Sequence, residues 1–220
     1  MCLKRFKKYL MFLQKSINDS FSMFNMNERI NDWYEKDKIK YSRLQNDLGF
    51  ISHSLRDTSF LTISKLLDDR DSESMSIQGL TKNILSTKIV KDIIINEQIR
   101  KIAQTISCEI LKNQKEILKL QTWRDKYFAH FDKKIINTPS IFVESRYNVN
   151  DLMNLVKFIY AELNKILILI GGDAISLTYD VYENSIDGLF FNYEVADKLL
   201  YSGNQSLVEE MYKTIEFPKK

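Results

Sequence analysis

Helix breakers are scarce in this chain: two prolines and six glycines among 220 residues. Proline removes a backbone donor and clashes with the preceding turn, and glycine costs about 1 kcal/mol in a helix interior relative to alanine. Their scarcity argues against a turn-rich β fold and favours helices. Cysteine is equally rare. Cys2 and Cys108 stand far apart and lack CxxC spacing, which excludes a disulfide scaffold and fits a reducing compartment, so a cytoplasmic location is expected. Two histidines, His53 and His130, with no thiolate cluster give no zinc set, and neither metal nor cofactor is expected. Asp69, Asp71 and Glu73 alternate like the start of a calcium loop, but Ser74 replaces the required Gly and Leu80 the bidentate Glu. The apolar run 166–170 is far short of the ~20 residues a spanning helix needs, so no membrane partner is expected. An excess of one charge is also missing. With Lys plus Arg at 32 and Asp plus Glu at 29, the net charge of +3 permits contact with nucleic acid without arguing for it.

What the chain does have is 44% hydrophobic and 12% aromatic residues, enough to build a core. One domain over 1–220 is expected, with 1–38 as an N-terminal helix and connection and 173–220 as a C-terminal extension. Apolar residues recur at helical spacing through Leu3, Phe6, Leu10, Leu13, Ile17, Phe21 and Phe24. The basic start of this segment resembles a signal peptide, but Gln14 and Lys15 end the apolar stretch and no small-residue cleavage site follows. A second helix is expected over 40–68, with a stripe through Leu44, Leu48, Ile51, Leu55, Thr58, Leu61, Lys65 and Leu66, widened by Phe60, Ile63 and Leu67. Ser76 is placed to cap a short helix. A long segment starts near Asn96, and another follows an N-cap at Asn150 and stops at Gly171-Gly172. Beyond 172 the pattern is weaker: 176–182 partly alternates and admits strand or helix, 189–201 reads weakly as helix, and short irregular or β elements are allowed for. The expectation is an all-α bundle of five or six helices.

The segment 123–134 concentrates the residues with reactive chemistry. Arg124 is a permanent cation suited to forked phosphate binding, and His130 exchanges protons near neutral pH. A site holding both can cleave RNA without metal: a base takes the ribose 2′-OH proton, and a cation stabilises the charge building on phosphorus. The products would carry a 2′,3′-cyclic phosphate and a 5′-OH. Six residues advance a straight helix by about 600°, which leaves the two Cβ directions about 120° apart. One copy of the motif therefore needs a long Arg reach, a bent helix or a second copy across a twofold axis. Tyr127 shares a helix face with His130. Together with Lys126 and Lys133 it is a candidate binding residue. The same segment also reads as ordinary core, with Trp123, Tyr127, Phe128 and Phe131 packed inward and Arg124-Asp125 as a solvated pair.

The string Arg-Asp-Lys-Tyr-Phe-Ala-His-Phe-Asp at 124–132 resembles the signature of HEPN domains (higher eukaryotes and prokaryotes nucleotide-binding), an Arg followed after four to six positions by His. Asp after the Arg and Ala before the His resemble the AbiU2-like branch, which is associated with abortive infection and phage resistance. The upstream string 62–68, Thr-Ile-Ser-Lys-Leu-Leu-Asp, is similar to that branch too, although an Arg is commoner where Lys65 stands. The resemblance implies a helical bundle, a homodimer, and metal-independent endoribonuclease action with Arg124 and His130 catalytic and Asp125 orienting or polarising them. RNA is the implied substrate, and an antitoxin or second defence-system protein is the implied partner. Asp132 occupies the position where toxins paired with a nucleotidyltransferase often carry a modified Tyr, so that modification is not expected here. The family also contains members that bind nucleic acid, nucleotide or protein without catalysis.

Overall fold

A computed structural model of the chain describes residues 3–68, 75–127, 146–177 and 180–201. Among these residues there are seven α-helices and no strand: α1 (Leu3–Lys36), α2 (Gln45–Leu66), α3 (Ile77–Ser86), α4 (Ile93–Lys112), α5 (Gln114–Tyr127), α6 (Val149–Leu169) and α7 (Asp180–Tyr201). The fold is all-α, as expected, but the count of five or six helices is too low. One added boundary falls at Asn113, in the middle of the apolar segment. The Asn113 backbone N–H is shared between the carbonyls of Glu109 and Ile110, and its side-chain amide also donates to the Glu109 carbonyl at 3.0 Å. That closes α4 without the usual glycine or proline, and α5 starts on the next residue. The weak helical reading over 189–201 corresponds to α7, which begins earlier, at Asp180. Residues 173–177 are irregular.

The chain forms two compact units. Unit 1 comprises Met1–Phe24 and His53–Thr178, and unit 2 comprises Asn25–Ser52 and Tyr179–Lys220.

In unit 1, Phe6, Leu10, Leu13, Ile17 and Phe21 of α1 are buried, as their spacing indicates. On and just after α2, Leu48, Phe60, Ile63, Leu66 and Leu67 are buried as expected, whereas Ile51 is exposed and Leu61 half-buried, and Ser59 and Ser64 are buried instead. The Ser59 hydroxyl donates to the Ser20 carbonyl at 2.8 Å, so a small polar residue sits where hydrophobicity alone would place a large apolar one. Ser76 caps α3 through Gly79 N–H at 3.0 Å. The α4 cap is Asp92, which accepts from Ile95 N–H. Asn96 instead accepts from Ile89 N–H at 2.9 Å and ties down the preceding loop. Asn148, not Asn150, caps α6. α4 packs against α3, α5 and α6, and α5 also meets α6. At the end of α6, Gly171 adopts φ +72° and donates to Ile168, while Gly172 N–H reaches the Leu167 carbonyl, both at 2.9 Å. This paired bond pattern closes a helix on a left-handed residue, where glycine avoids the Cβ clash.

In unit 2, the segment 25–38, expected as a connection, is helical as far as Lys36. Its buried positions are the polar Asn27 and a single apolar residue, Ile30, too few to give an apolar period. Asn27 is buried, and the Ser52 hydroxyl lies 2.6 Å from its amide oxygen and 3.0 Å from that of Asn31. Further along, the Asp187 carboxylate takes both prongs of Arg29, at 2.6 and 2.7 Å, and the Trp33 indole N–H at 2.7 Å. These donors hold the Asp187 carboxyl below its ordinary pKa. Trp33 stacks on Phe190 with centroids 5.2 Å apart, and Tyr41, almost fully buried, donates to Glu194 at 2.6 Å.

Candidate functional site

Arg124 lies in the last turn of α5, in unit 1. Several contacts fix that helix. Ile117 and Leu120 are fully buried. Near its start, Glu116 pairs with Lys119 at 2.7 Å and accepts the Asn148 backbone N–H at 2.6 Å, which ties the first turn of α5 to the entry of α6. Those two donors, Lys119 first, hold the Glu116 carboxyl below its ordinary pKa. Near its end, Trp123 meets Tyr147 edge-on at 5.8 Å, Tyr147 meets Phe60 at 5.1 Å, and Phe60 meets Phe24 at 5.8 Å. The aromatic reading of Trp123 as a packing residue is therefore correct. Burial pushes the Tyr147 hydroxyl above its ordinary pKa, so it is protonated at neutral pH and is not a base.

With the backbone held in this way, the Arg124 guanidinium bridges two carboxylates. Its Nη1 donates to Asp68 Oδ2 at 2.7 Å, its Nε donates to Asp125 Oδ1 at 2.8 Å, and its Nη2 lies 2.7 Å from the same Asp125 oxygen. The Arg124 and Asp68 side chains are each 14% exposed, whereas Asp125 is 42% exposed. Arg124-Asp125 is thus more than a solvated surface pair, because a third residue from the end of α2 completes it. A guanidinium carries five N–H donors in a fixed fork, so two carboxylates do not exhaust it. The arrangement holds the cation in one place and offsets its charge with two negative ones.

Sequence reasoning identified Arg124 and Asp125, and the structure joins them. It did not assign a role to Asp68. The available signal was its place at the end of the 62–68 string, but pairing it with a residue 56 positions away requires the fold. The backbone of Lys126 and Tyr127 forms the last two residues of α5, and their side chains lie outside the described set. His130 and Lys133 lie outside the described residues, as do Asp69, Asp71 and Glu73. Among the described residues, no group of three or more His, Cys, Asp or Glu is placed to hold a metal, and no helix is long and apolar enough to cross a membrane. His53 is exposed on α2.

Beside Asp68 lies a cleft of about 400 Å³ lined by Phe12, Ser16, Thr62, Lys65, Leu66 and Met75. The Arg124 clamp thus has an open surface next to it.

A family model for the AbiU2 branch of HEPN domains matches residues 5–191. The chain belongs to the AbiU2 HEPN family. This places it among abortive-infection-associated modules. No curated protein and no solved structure matches it. The match begins in α1 and ends in α7, so the helical scaffold around Arg124 falls within it.

Proposed function

We propose that this AbiU2-family chain is a metal-independent endoribonuclease-type effector of an abortive-infection or toxin–antitoxin system, with Arg124 and His130 as its catalytic pair. The observation that supports this most is the held position of Arg124: a cation with unspent donors, fixed by Asp68 and Asp125, six residues before the motif histidine. In this reading Arg124 meets the scissile phosphate and stabilises the added negative charge as the 2′-oxygen attacks. His130 takes the 2′-OH proton, and protonation of the departing 5′-oxygen completes the step. The phosphorus–O5′ bond breaks, leaving a 2′,3′-cyclic phosphate and a 5′-OH. Asp125 and Asp68 are positioning residues that limit the rotamers of Arg124. Tyr127, Lys126 and Lys133 supply RNA contacts. A homodimer pairs two copies of the motif and closes the angular gap between Arg124 and His130, and an antitoxin or second defence-system protein restrains the activity.

Incubating the purified chain with end-labelled single-stranded RNA in EDTA tests this. Cleavage to cyclic-phosphate ends supports the proposal, and intact RNA at high protein concentration counts against it.

A second reading is favoured by the same clamp. Bonds from one guanidinium to two carboxylates suit a structural lock joining the end of α2 to α5 in a non-catalytic nucleic-acid, nucleotide or protein-binding module. Under that reading Asp68→Asn lowers stability, and no variant of the motif alters any RNA.

A further inference from the structure

The cleft beside Asp68 has the make-up of a nucleotide subsite. Phe12 is 47% exposed on α1, so its ring contributes little to the core, and it forms one wall. Lys8, one turn before it, and Lys15, three residues after it, lie on the same face of α1, and both are exposed. Lys65 is exposed on the α2 wall. An open aromatic face set among ammonium groups is the pattern that binds single-stranded nucleic acid: bases stack on the ring and cations follow the backbone. Ser16 and Thr62 also line the cleft; the Thr62 hydroxyl donates to the Thr58 carbonyl at 2.9 Å and keeps acceptor capacity for a base-edge donor. The cleft volume, about 400 Å³, falls within the range of small-ligand sites, roughly 300–1,000 Å³. The Asp68 carboxylate both lines the cleft and accepts from Arg124 at 2.7 Å, so an occupant would be one side chain away from the motif cation.

We propose that this cleft binds one unpaired base of single-stranded RNA, stacked on Phe12 with its phosphate on Lys65, and so positions the strand beside Arg124. This rests on the ribonuclease reading and adds a substrate-binding position outside the Arg–His motif. Phe12 and Lys65 act on binding, not on the chemical step.

The test is fluorescence anisotropy of the full His130→Ala chain with a 5′-labelled oligoadenylate at low salt, so that binding is read without cleavage. Stacking on one aromatic ring predicts that Phe12→Ala raises Kd about 5- to 150-fold, while Phe12→Trp keeps it near the parent value. Lys65→Ala should weaken binding and reduce the salt dependence of log K by about 0.7, whereas Phe12→Ala leaves that slope unchanged. If Phe12→Ala fails to keep its helical circular dichroism, the Phe12→Trp and Lys65→Ala results decide. Absence of RNA binding by the parent, or equal affinity after both Phe12→Ala and Lys65→Ala, overturns the subsite. Phe12-dependent binding by a chain that never cuts RNA leaves the subsite standing and removes the ribonuclease. Cleavage by the chain that retains His130, with Phe12-independent binding, does the reverse.

Discussion

Arg124 and Asp68 meet at 2.7 Å although 56 residues separate them, and each side chain is only 14% exposed. The pair joins the residue just beyond α2 to the last turn of α5, and it connects Arg124 to the cleft lined by Phe12 and Lys65. A charge-assisted bond with this little solvent around it is worth more than a surface pair, because screening is weak.

Asp68→Ala should therefore cost about 1–3 kcal/mol of unfolding free energy. Asp125 still partners the guanidinium, which keeps the loss below that of stranding a lone buried charge. Urea titration followed by circular dichroism measures it. A double-mutant cycle with Arg124→Ala should return a coupling above about 0.5 kcal/mol. Strict additivity would show that the two residues do not stabilise each other.

Arg124→Lys preserves the charge and loses the fork. A single ammonium cannot hold Asp68 and Asp125 and still present two parallel donors to a phosphate. RNA cleavage should fall by about 10²-fold or more, within the range seen when one donor to a developing oxyanion is removed. Cleavage rates close to those of the parent would exclude a bidentate role.

In unit 2 the prediction concerns acid. The Asp187 carboxyl is held below its ordinary pKa, chiefly by Arg29 and then by Trp33. A lowered folded-state pKa gives stability that is fully present above the unfolded value, about 4, and is lost as pH falls through the folded value. Asp187→Asn should lower stability at neutral pH and flatten its fall below about pH 4. Trp33 fluorescence in a Trp123→Phe background reports this locally. Parallel pH profiles for the parent and the Asp187→Asn variant would contradict the assignment.

Gly171 offers a test of the α6 boundary. Its φ is +72°, and a Cβ built there meets nothing within 4 Å, so alanine adds backbone strain without a clash. Gly171→Ala should cost about 1 kcal/mol, and Gly171→Asn less, because asparagine tolerates the left-handed region better. Equal thermal stability of the parent and both variants would mean that the left-handed cap is not formed.

The helical fold was legible because apolar residues mark the inner faces of α1, α4 and α6 directly. Arg124 and Asp125 stood out because few residue types suit phosphate chemistry and the string 124–132 resembles a family signature; the structure shows their contact with each other, and their catalytic role belongs to the proposal. Other features depend on polar residues that face inward. Buried Asn27 and Ser52 bond to each other, and with Ile30 the one buried apolar residue beside them, residues 25–36 looked like a connection. Ser59 is buried on α2 through its bond to the Ser20 carbonyl, and Asn113 closes α4 through its own amide. Asp68 and Asp187 needed the tertiary path, since their arginine partners are 56 and 158 residues away.

The ribonuclease proposal stands or falls on whether Arg124 and His130 cut RNA without metal. The decisive comparison sets the parent chain against His130→Ala on end-labelled single-stranded RNA in EDTA, with the product ends identified. The parent should leave 2′,3′-cyclic phosphate and 5′-OH ends, and the variant should lose at least about 10²-fold in rate, in line with losing a general base. No cleavage by the parent, or equal cleavage by both chains, would contradict it.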